Sequence, residues 1–348
     1  MKALIKTTAA AGLSYVDVPE PAMGREDVRI RVLRTGICGT DVHIHRWDGW
    51  AQRTLTLPRV VGHEFVGEIV EVGAGVGALR PGQLVGAEAH LTCERCAHCR
   101  AGARHLCTGT QGLGVQRDGV FAEFITLPAR SIWVHAPGTS LDVAAIFDPF
   151  GNAVHAADTF DLDGRTVLIT GAGPIGALTA AVAVHRGARL VAVTDVNPFR
   201  LKLAQTLGAH HAVEAAPGAL SRLLADLGTD TGFDVAFEMS GHPQALHETL
   251  SYVDRGGHVG LLGLPPEPVP VDWADLSLRM INLHGISGRR VFDTWHSMRD
   301  LLQDGLDPQP VITHRFPADE HDDAFAAAAD GSAGKVVLTW SEPTGATA

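Results

Sequence analysis

Thr166-Val167-Leu168-Ile169-Thr170-Gly171-Ala172-Gly173-Pro174-Ile175-Gly176 is the stretch that decides how the second half of the chain folds. Its first five residues are mostly apolar or β-branched, which predicts a buried strand. The next six fit the pattern G-x-G-x-x-G, and an alanine-rich helix is predicted from Pro174 to Arg186, where Gly187 ends it. A strand, a glycine-rich turn and a helix in this order predict the start of a parallel sheet.

The alternation of strands and helices continues towards the C-terminus. Its further elements are predicted as a helix at Phe199–Leu207 and strands at Leu190–Asp195, Phe233–Glu238, His258–Gly263 and Asn282–Ile286. Strands that alternate with helices form a doubly wound parallel sheet. In that context Gly171, Gly173 and Gly176 let a pyrophosphate approach the backbone at the helix N-terminus. The sequence therefore predicts a Rossmann domain that binds a dinucleotide.

An acidic residue ends the second predicted strand. Asp195 stands about 20 residues after the glycine loop, the place where a carboxylate accepts hydrogen bonds from the adenosine ribose. A carboxylate there also repels a 2′-phosphate, which favours NAD over NADP. Arg200 lies close along the chain and could cover the adenine or the ribose, so NADP stays open as an alternative.

The first 150 residues show a different pattern, with short alternating runs separated by glycine and proline. Strands are predicted at Met1–Lys6, Val28–Leu33, Glu68–Val72 and Phe121–Leu127. This pattern predicts a twisted, barrel-like β domain. Residues Gly334–Trp340 predict one more strand, which returns to this first domain, and the tail from Ser341 is expected to fray.

The period changes to that of a helix around residue 141. Leu141–Phe147 has helical spacing, and a second helix is predicted from Gly151 to Phe160 between the two domains. Pro149 biases the preceding residue, Asp148, away from helical backbone and itself suits the first turn of a new helix. The predicted domain boundaries are 1–147 for the first domain, 148–290 for the Rossmann domain and 291–348 for the return to the first domain.

Composition excludes several classes of function. The chain has 348 residues, enough for two domains, and a formal charge of −11 that argues against nucleic acid or an anionic membrane as a partner. No apolar run has the length of a membrane span, and the N-terminus lacks the apolar core of a signal peptide. These features predict a cytoplasmic protein, in which five cysteines are better interpreted as metal ligands or core residues than as disulfides.

Four cysteines follow one another at metal-ligand spacing. Cys93, Cys96, Cys99 and Cys107 form C-x2-C-x2-C-x7-C in a lobe at about 90–110, and four thiolates close a tetrahedral zinc site with no open position. The alternatives are four unligated thiols, a zinc module for nucleic acid or an iron–sulfur cluster. A structural zinc is the interpretation that best fits an acidic chain without signs of electron transfer.

The fifth cysteine, Cys38, belongs to a second group of possible ligands. It lies in Gly36–His43, upstream of Gly62-His63-Glu64, so the two segments offer a thiolate, an imidazole and a carboxylate. A zinc held by about three protein ligands keeps a position open for water or substrate. The alternatives are a core thiol at position 38 and a surface histidine at position 43.

The second segment extends to a longer pattern that identifies a family. Gly62-His63-Glu64-Phe65-Val66-Gly67, followed by Gly73 and Val76, fits G-H-E-x2-G-x5-G-x2-V. This resembles the zinc signature of the medium-chain dehydrogenase/reductase superfamily, and the cysteine lobe and the glycine loop follow in the order that this superfamily uses. The resemblance covers essentially the whole chain and implies a GroES-like barrel joined to the Rossmann domain. Longer matches are similar to the threonine dehydrogenases of that superfamily, at residues 38–50, 146–155, 231–241 and 312–316.

The resemblance implies a role for each residue of the catalytic group. Cys38, His63 and Glu64 would hold a catalytic zinc, and the substrate hydroxyl would take the open position. Thr40 and His43 would relay its proton to solvent, and Asp148 would tune that relay. For Glu64, direct ligation and a swinging role outside the metal shell both stay open.

The same resemblance implies the cofactor contacts and the reaction. The residues implied to contact NAD are Ile175, Asp195, Arg200, Leu262, Gly263, Leu264, Ile286 and Ser287. Arg289 is a candidate for the substrate carboxylate, with an interface role as the alternative. The implied activity is oxidation of L-threonine at Cβ by NAD⁺ in a homotetramer with one catalytic and one structural zinc per subunit. A polyol or secondary-alcohol dehydrogenase, and an NAD-sensing protein without turnover, are the rival interpretations.

Overall fold

The structure is a computed structural model that describes residues 1–229 and 231–343. Asp230 and residues 344–348, which include most of the predicted tail, lie outside the described residues. The chain divides into two compact units. Unit 1 consists of Met1–Pro149, Arg290–Trp295 and Ile312–Ala348, and unit 2 consists of Phe150–Arg289 and His296–Val311. This division differs from the predicted one at 291–348, because His296–Val311 joins the second unit.

Strands form the sheets of unit 1 and the central sheet of unit 2. In chain order they are β1 (Lys2–Lys6), β2 (Ser14–Asp17), β3 (Asp27–Ile37), β4 (Arg59–Val60), β5 (Glu64–Val72), β6 (Leu84–Ala87), β7 (His90–Leu91), β8 (Gln111–Gly112), β9 (Phe124–Pro128), β10 (Ile132–Val134), β11 (Thr166–Thr170), β12 (Leu190–Asp195), β13 (His211–Glu214), β14 (Phe233–Glu238), β15 (Val253–Leu261), β16 (Asn282–Gly285), β17 (Ile312–Pro317) and β18 (Lys335–Thr339).

Helices connect these strands. They are α1 (Gly39–Arg46), α2 (Gly49–Thr54), α3 (Ala97–Arg100), α4 (Leu141–Ala145), α5 (Phe147–Ala157), α6 (Pro174–His185), α7 (Pro198–Thr206), α8 (Ala219–Asp226), α9 (Pro243–Tyr252), α10 (Trp273–Leu278), α11 (Asp293–Gln303) and α12 (His321–Asp330). Short 3₁₀ turns lie at Arg104–Leu106, Ala129–Ser131, Gln309–Val311 and Ala318–Glu320. Among the described helices, none combines the length and the apolar character that crossing a membrane requires.

Unit 1 is built around the long strand β3. Its sheet has the order β10-β6-β5-β3-β18-β17, with β9 also paired to β3. Alternate residues Val28, Ile30 and Val32 of β3 are fully buried, which is the period-2 pattern that the sequence shows. The prediction of a twisted β domain is confirmed, and so is the return of the last strand to it, since β18 pairs with β3.

Unit 2 is the predicted doubly wound sheet. Its strands are parallel in the order β13-β12-β11-β14-β15-β16, so the direction of winding reverses between β11 and β14. Ligands of such sheets bind beyond the carboxyl ends of the strands at this switch point. The short strand β13 was not predicted, because its four residues, His-Ala-Val-Glu, lack a distinct apolar pattern.

The prediction that Asp148 lies outside a helix is wrong. Helix α5 begins at Phe147 and contains Asp148 and Pro149 in its first turn. Proline is tolerated there because its missing N–H would have no intrahelical acceptor. As a result, the carboxylate of Asp148 is placed by a helix rather than by a loop.

A buried histidine of unit 1 makes the stability of the protein depend on pH. His135 is 5% exposed, its ring meets Phe147 edge-on at 4.7 Å, and Nε2 has no hydrogen-bond partner within the described part of the chain. Burial therefore lowers the pKa of His135 from 6.5 to about 4. The imidazole is neutral in the folded protein, and protonating it would leave a charge buried without a counterion.

We expect His135→Leu to weaken the loss of stability in mild acid. At a pH between 6.5 and about 4, His135 is protonated in the unfolded chain but neutral in the folded protein. The free energy of unfolding therefore falls as the pH falls through this range. The contribution of His135 amounts to about 3 kcal/mol over the full window. Urea unfolding of both proteins from pH 7 to pH 4 measures it, and parallel stability curves for the two proteins would contradict this interpretation.

Candidate metal centre and dinucleotide site

Three neighbouring strands of unit 1 bring the first set of site residues together. Cys38 directly follows β3, Glu64 begins β5 and Lys335 begins β18. The register pairs Gly36 with Glu64 on one side of β3, and Ile37 with Val336 on the other. Residues far apart in sequence therefore meet at one end of the sheet.

The predicted metal donors form one compact group. One ligand atom each from Cys38, His63 and Glu64 lies within 4.8 Å of the others. A thiol, an imidazole and a carboxylate suit zinc, and three protein ligands leave a coordination position open. Gly36 makes room for the group, because a Cβ at that position would lie 2.1 Å from Oε2 of Glu64. The residues present therefore fit a catalytic zinc.

Asp41 supports this group from behind, a role that the sequence analysis missed. Its carboxylate is fully buried, accepts a hydrogen bond of 2.9 Å from the Cys38 N–H and lies 3.6 Å from Nδ1 of His63. Burial raises the pKa of Asp41, against the opposing effect of His63. Burial also opposes a charge on His63, but the Asp41 carboxylate and Cys38 raise the pKa of His63 well above its usual value. A carboxylate on one ring nitrogen orients a histidine so that the other can bind metal.

Lys335 is the second residue that the sequence analysis missed. It is 3% exposed, its Nζ lies 2.7 Å from both carboxylate oxygens of Glu64, and it donates to the Ile37 carbonyl at 2.8 Å. Although burial works against the charge, the carboxylate of Glu64 raises the pKa of Lys335. The sequence feature that could have identified this residue is a lysine directly before the apolar run Val336–Leu338, where a buried strand would bury it too. Glu64 is therefore held by an ion pair as well as offered to a metal.

Two of the residues predicted for the proton relay follow Cys38 along the chain, on α1. Thr40 and His43 are three residues apart on α1, so they share one face of the helix. The side chain of His43 is 57% exposed, and its Nδ1 contacts Oδ2 of Asp48. Asp148 lies close enough for its charge to raise the pKa values of both His63 and Glu64. Of the two tryptophans nearby, Trp47 packs against the barrel core and Trp50 lies near His43, with ring centroids 6.1 Å apart.

The four cysteines of the lobe form a separate group. Their sulfur atoms lie within 4.8 Å of one another, around α3 and the following 3₁₀ turn. Backbone N–H groups point at the sulfurs, from Cys93 to Cys107 at 3.2 Å and from Cys99 to Cys96 at 3.4 Å. The second of these hydrogen bonds helps to lower the pKa of Cys96 to about 5. Four sulfurs with a thiolate-stabilising backbone fit a closed zinc site.

The glycine loop of unit 2 has the geometry that its sequence predicts. Gly171 has φ +98°, and a Cβ on Gly176 would lie 1.9 Å from the Gly171 carbonyl oxygen. Helix α6 begins at Pro174, within the glycine pattern, with Gly173 as its N-cap. Of the predicted cofactor residues, Gly171, Gly173, Asp195 and Arg200 line a cavity of about 700 Å³. This volume is in the range of cofactor sites.

Asp195 has a further structural duty. It is 8% exposed, and its two carboxylate oxygens accept hydrogen bonds from the backbone N–H groups of Ala172 at 2.7 Å and Asn197 at 2.9 Å. Each oxygen has a second lone pair, so a ribose hydroxyl can still be accepted. Asp195 therefore holds the glycine loop in shape in addition to facing the cavity.

The other predicted cofactor residues lie outside this cavity. Ile175 and Gly176 belong to α6, Leu262–Leu264 follow β15, and Ile286 and Ser287 follow β16. The turn after β15 is held by Glu238, the predicted end of β14, whose backbone carbonyl accepts from the N–H groups of Leu262 and Gly263 at 3.0 Å. Arg289 is 2% exposed and donates to Asn152 at 3.2 Å within unit 2, which favours a packing role over contact with a substrate carboxylate.

Comparison with known proteins agrees with these two sites. Residues 24–137 match the family model described as alcohol dehydrogenase GroES-like domain, and residues 174–304 match that described as zinc-binding dehydrogenase. The structure resembles an alcohol dehydrogenase of Escherichia coli CFT073 solved with NADH, with TM-score 0.89 and 28% identity over 98% of this chain and 99% of that one. It also resembles an alcohol dehydrogenase of Thermus sp. ATN1, with TM-score 0.88 and 27% identity over 97% and 99%.

Curated relatives are much more similar in sequence. The chain is 53% identical to an L-threonine 3-dehydrogenase of Streptomyces coelicolor, over 98% of this chain and 99% of that protein. It is 52% identical to one of Saccharopolyspora erythraea over the same shares. For one of Legionella pneumophila the identity is 50%, over 98% of this chain and the whole relative. The chain therefore belongs to the family of zinc-binding dehydrogenases that contains these L-threonine 3-dehydrogenases.

Proposed function

We propose that this chain oxidises L-threonine at Cβ with NAD⁺ and produces L-2-amino-3-oxobutanoate and NADH, in the breakdown of threonine towards glycine. The observation that carries the proposal is an identity of about half, along nearly the whole chain, with curated L-threonine 3-dehydrogenases. The grouping of Cys38, His63 and Glu64 supports it, because alcohol oxidation by this family needs a metal site with an open position.

The residues of unit 1 would have different roles in the reaction. Cys38, His63 and Glu64 would hold zinc, which supplies a Lewis acid that lowers the pKa of the substrate hydroxyl. Asp41 orients His63, and Lys335 holds Glu64. The hydroxyl proton has to leave as hydride departs from Cβ, and Thr40 and His43 would carry it to solvent, since His43 is exposed. Cys93, Cys96, Cys99 and Cys107 would hold the structural zinc.

Unit 2 would bind NAD through the loop Gly171–Gly176 and through Asp195, with Arg200 on the same cavity. We expect Asp195→Asn to weaken discrimination against NADP, because asparagine no longer repels a 2′-phosphate, although its single carbonyl oxygen can keep only one of the two backbone hydrogen bonds. The ratio of kcat/KM for NAD to that for NADP should fall by roughly 10-fold or more. An unchanged ratio would remove Asp195 from cofactor selection.

Assembly into a homotetramer is part of the proposal. Strand β16 is an edge strand of the parallel sheet in unit 2, and Leu264, Trp273, Leu278 and Met280 on nearby segments are each at least 73% exposed. An unpaired edge beside exposed apolar side chains is typical of a surface that pairs with another copy. Light scattering of the purified protein measures the assembly.

A cytoplasmic location agrees with five cysteines that are free thiols arranged for metal binding.

A substrate panel tests the activity. NADH production from L-threonine, sorbitol and 2,3-butanediol, with and without added zinc, separates the proposed function from the polyol and secondary-alcohol alternatives. We expect turnover to be highest with threonine. A zinc-loaded enzyme without threonine turnover would contradict the proposal, and binding of NAD without turnover of any substrate would favour the sensing protein.

A further inference from the structure

A histidine–carboxylate pair lies on the exposed side of α1. Nδ1 of His43 contacts Oδ2 of Asp48, in the turn that connects α1 to α2. The other carboxylate oxygen, Oδ1, accepts hydrogen bonds of 3.0 Å from the backbone N–H groups of Trp50 and Ala51. Asp48 is therefore fixed by the start of α2 and is not free to rotate away from the imidazole.

Among the described residues, the charged group in contact with His43 is the carboxylate of Asp48. From α2, the ring of Trp50 lies at 6.1 Å from that of His43. Helix α12 also packs on α1 but contacts other residues there: Phe325 stacks on His45 at 4.8 Å, and Arg46 donates to the backbone carbonyl of Ala329. Burial opposes ionisation of Asp48, but hydrogen bonds from the Ala51 N–H and from His43 lower the pKa of Asp48, so it is a carboxylate at neutral pH.

We propose that Asp48 is a positioning residue that fixes the tautomer of His43 for proton transfer. A carboxylate can only accept, so Nδ1 of a neutral His43 must carry the hydrogen, and Nε2 is left with a lone pair to receive a proton. The inference rests on the proposed function, in which His43 is the last protein group of the relay. It adds that the relay depends on the residue that also caps the N-terminus of α2.

Asp48→Asn separates the contact with His43 from the capping of α2. The asparagine carbonyl can keep the backbone hydrogen bonds of the α2 cap, whereas its amide would donate to Nδ1 and move the imidazole hydrogen to Nε2. At a pH above the ordinary titration range of imidazole, ¹⁵N NMR shifts report which nitrogen carries the hydrogen. His43→Gln assigns the signal, and Asp48→Ser is a second variant that keeps a cap without a carboxylate.

Asp118→Asn is the matched control. Asp118 is exposed and, like Asp48, contacts both backbone and a basic side chain: it accepts from the backbone N–H of Val60 at 3.2 Å and from Arg59 at 3.1 Å. We expect Asp48→Asn, but not Asp118→Asn, to move the His43 hydrogen to Nε2 and to lower kcat for threonine by roughly 10- to 100-fold. Added imidazole should restore part of the lost turnover, and a His43→Gln background should abolish the effect of Asp48→Asn.

The NMR and kinetic results have separate meanings. An unchanged His43 tautomer in Asp48→Asn would overturn the inference, as would a kcat equal to that of Asp118→Asn despite the tautomer change. If Asp48→Asn lowered kcat by the same factor in the parent protein and in the His43→Gln background, the inference would also be overturned, because the loss would then be a structural effect that does not act through His43. If the parent protein does not turn over threonine but the tautomer still responds to Asp48→Asn, the proposed function fails and the positioning of His43 stands.

Discussion

Cys38→Ser is expected to lower kcat/KM for L-threonine by roughly 10³-fold or more, because the open metal site supplies several kcal/mol of transition-state stabilisation. Serine is a poor zinc ligand, and the remaining donors, His63 and Glu64, are too few to hold the metal firmly. Zinc analysis should show one metal fewer per chain. The melting temperature should change little, since a serine side chain fits the space of a cysteine.

Cys93→Ser is the matched comparison, because it removes a thiolate from the closed cysteine group instead. Its sulfur belongs to a cluster with Cys96, Cys99 and Cys107, away from the Cys38 group. One zinc per chain should again be lost, but here the main effect should be a lower melting temperature and faster proteolysis within residues 90–110. If both variants lost turnover and stability to the same extent, the assignment of one catalytic and one structural site would be wrong.

Lys335→Met is expected to lower the free energy of unfolding by about 3–5 kcal/mol, because it leaves the carboxylate of Glu64 buried without its cation. The ammonium also donates to the Ile37 carbonyl, so that acceptor loses its partner too. Methionine has nearly the volume of the lysine stem, which limits the loss of packing. Urea unfolding with an unchanged m-value measures the difference.

Two comparisons isolate the ion pair. Lys2→Met removes a lysine that lies 2.8 Å from its partner, Asp17, nearly the distance of the buried pair, but whose side chain is 43% exposed, so little change in stability is expected. Lys335→Met combined with Glu64→Gln removes both charges and should recover part of the lost stability. A loss in Lys335→Met no larger than that in Lys2→Met would show that the buried pair contributes little to the fold.

Much of unit 2 could be predicted from the chain because its signals are local. Thr166–Gly176 contains a strand, a turn and the start of a helix within eleven residues. The spacing of its glycines is specific to this kind of turn, so the sequence pattern is easy to assign. Strand β13 and the helical backbone of Asp148 were missed, because a four-residue strand has little pattern and the residue before a proline is usually not helical.

The metal donors could also be predicted, whereas their supporting residues could not. Cys38, His63 and Glu64 are of the few residue types that bind zinc, so sequence chemistry alone points to them. Lys335 lies 271 residues from Glu64, and nothing in its own neighbourhood indicates a partner. Only the pairing of β18 and β5 with the two sides of β3 brings the two charges together.

The sequence by itself therefore determined the two folds, the two sets of metal donors and the glycine loop, because these depend on local patterns and on side-chain chemistry. Tertiary structure decided which groups stabilise them. Asp41 behind His63, Lys335 on Glu64 and Asp48 on His43 are defined by strand register and by the turn between two helices. Their effects depend on burial and on distances of a few ångströms, which a linear sequence does not specify.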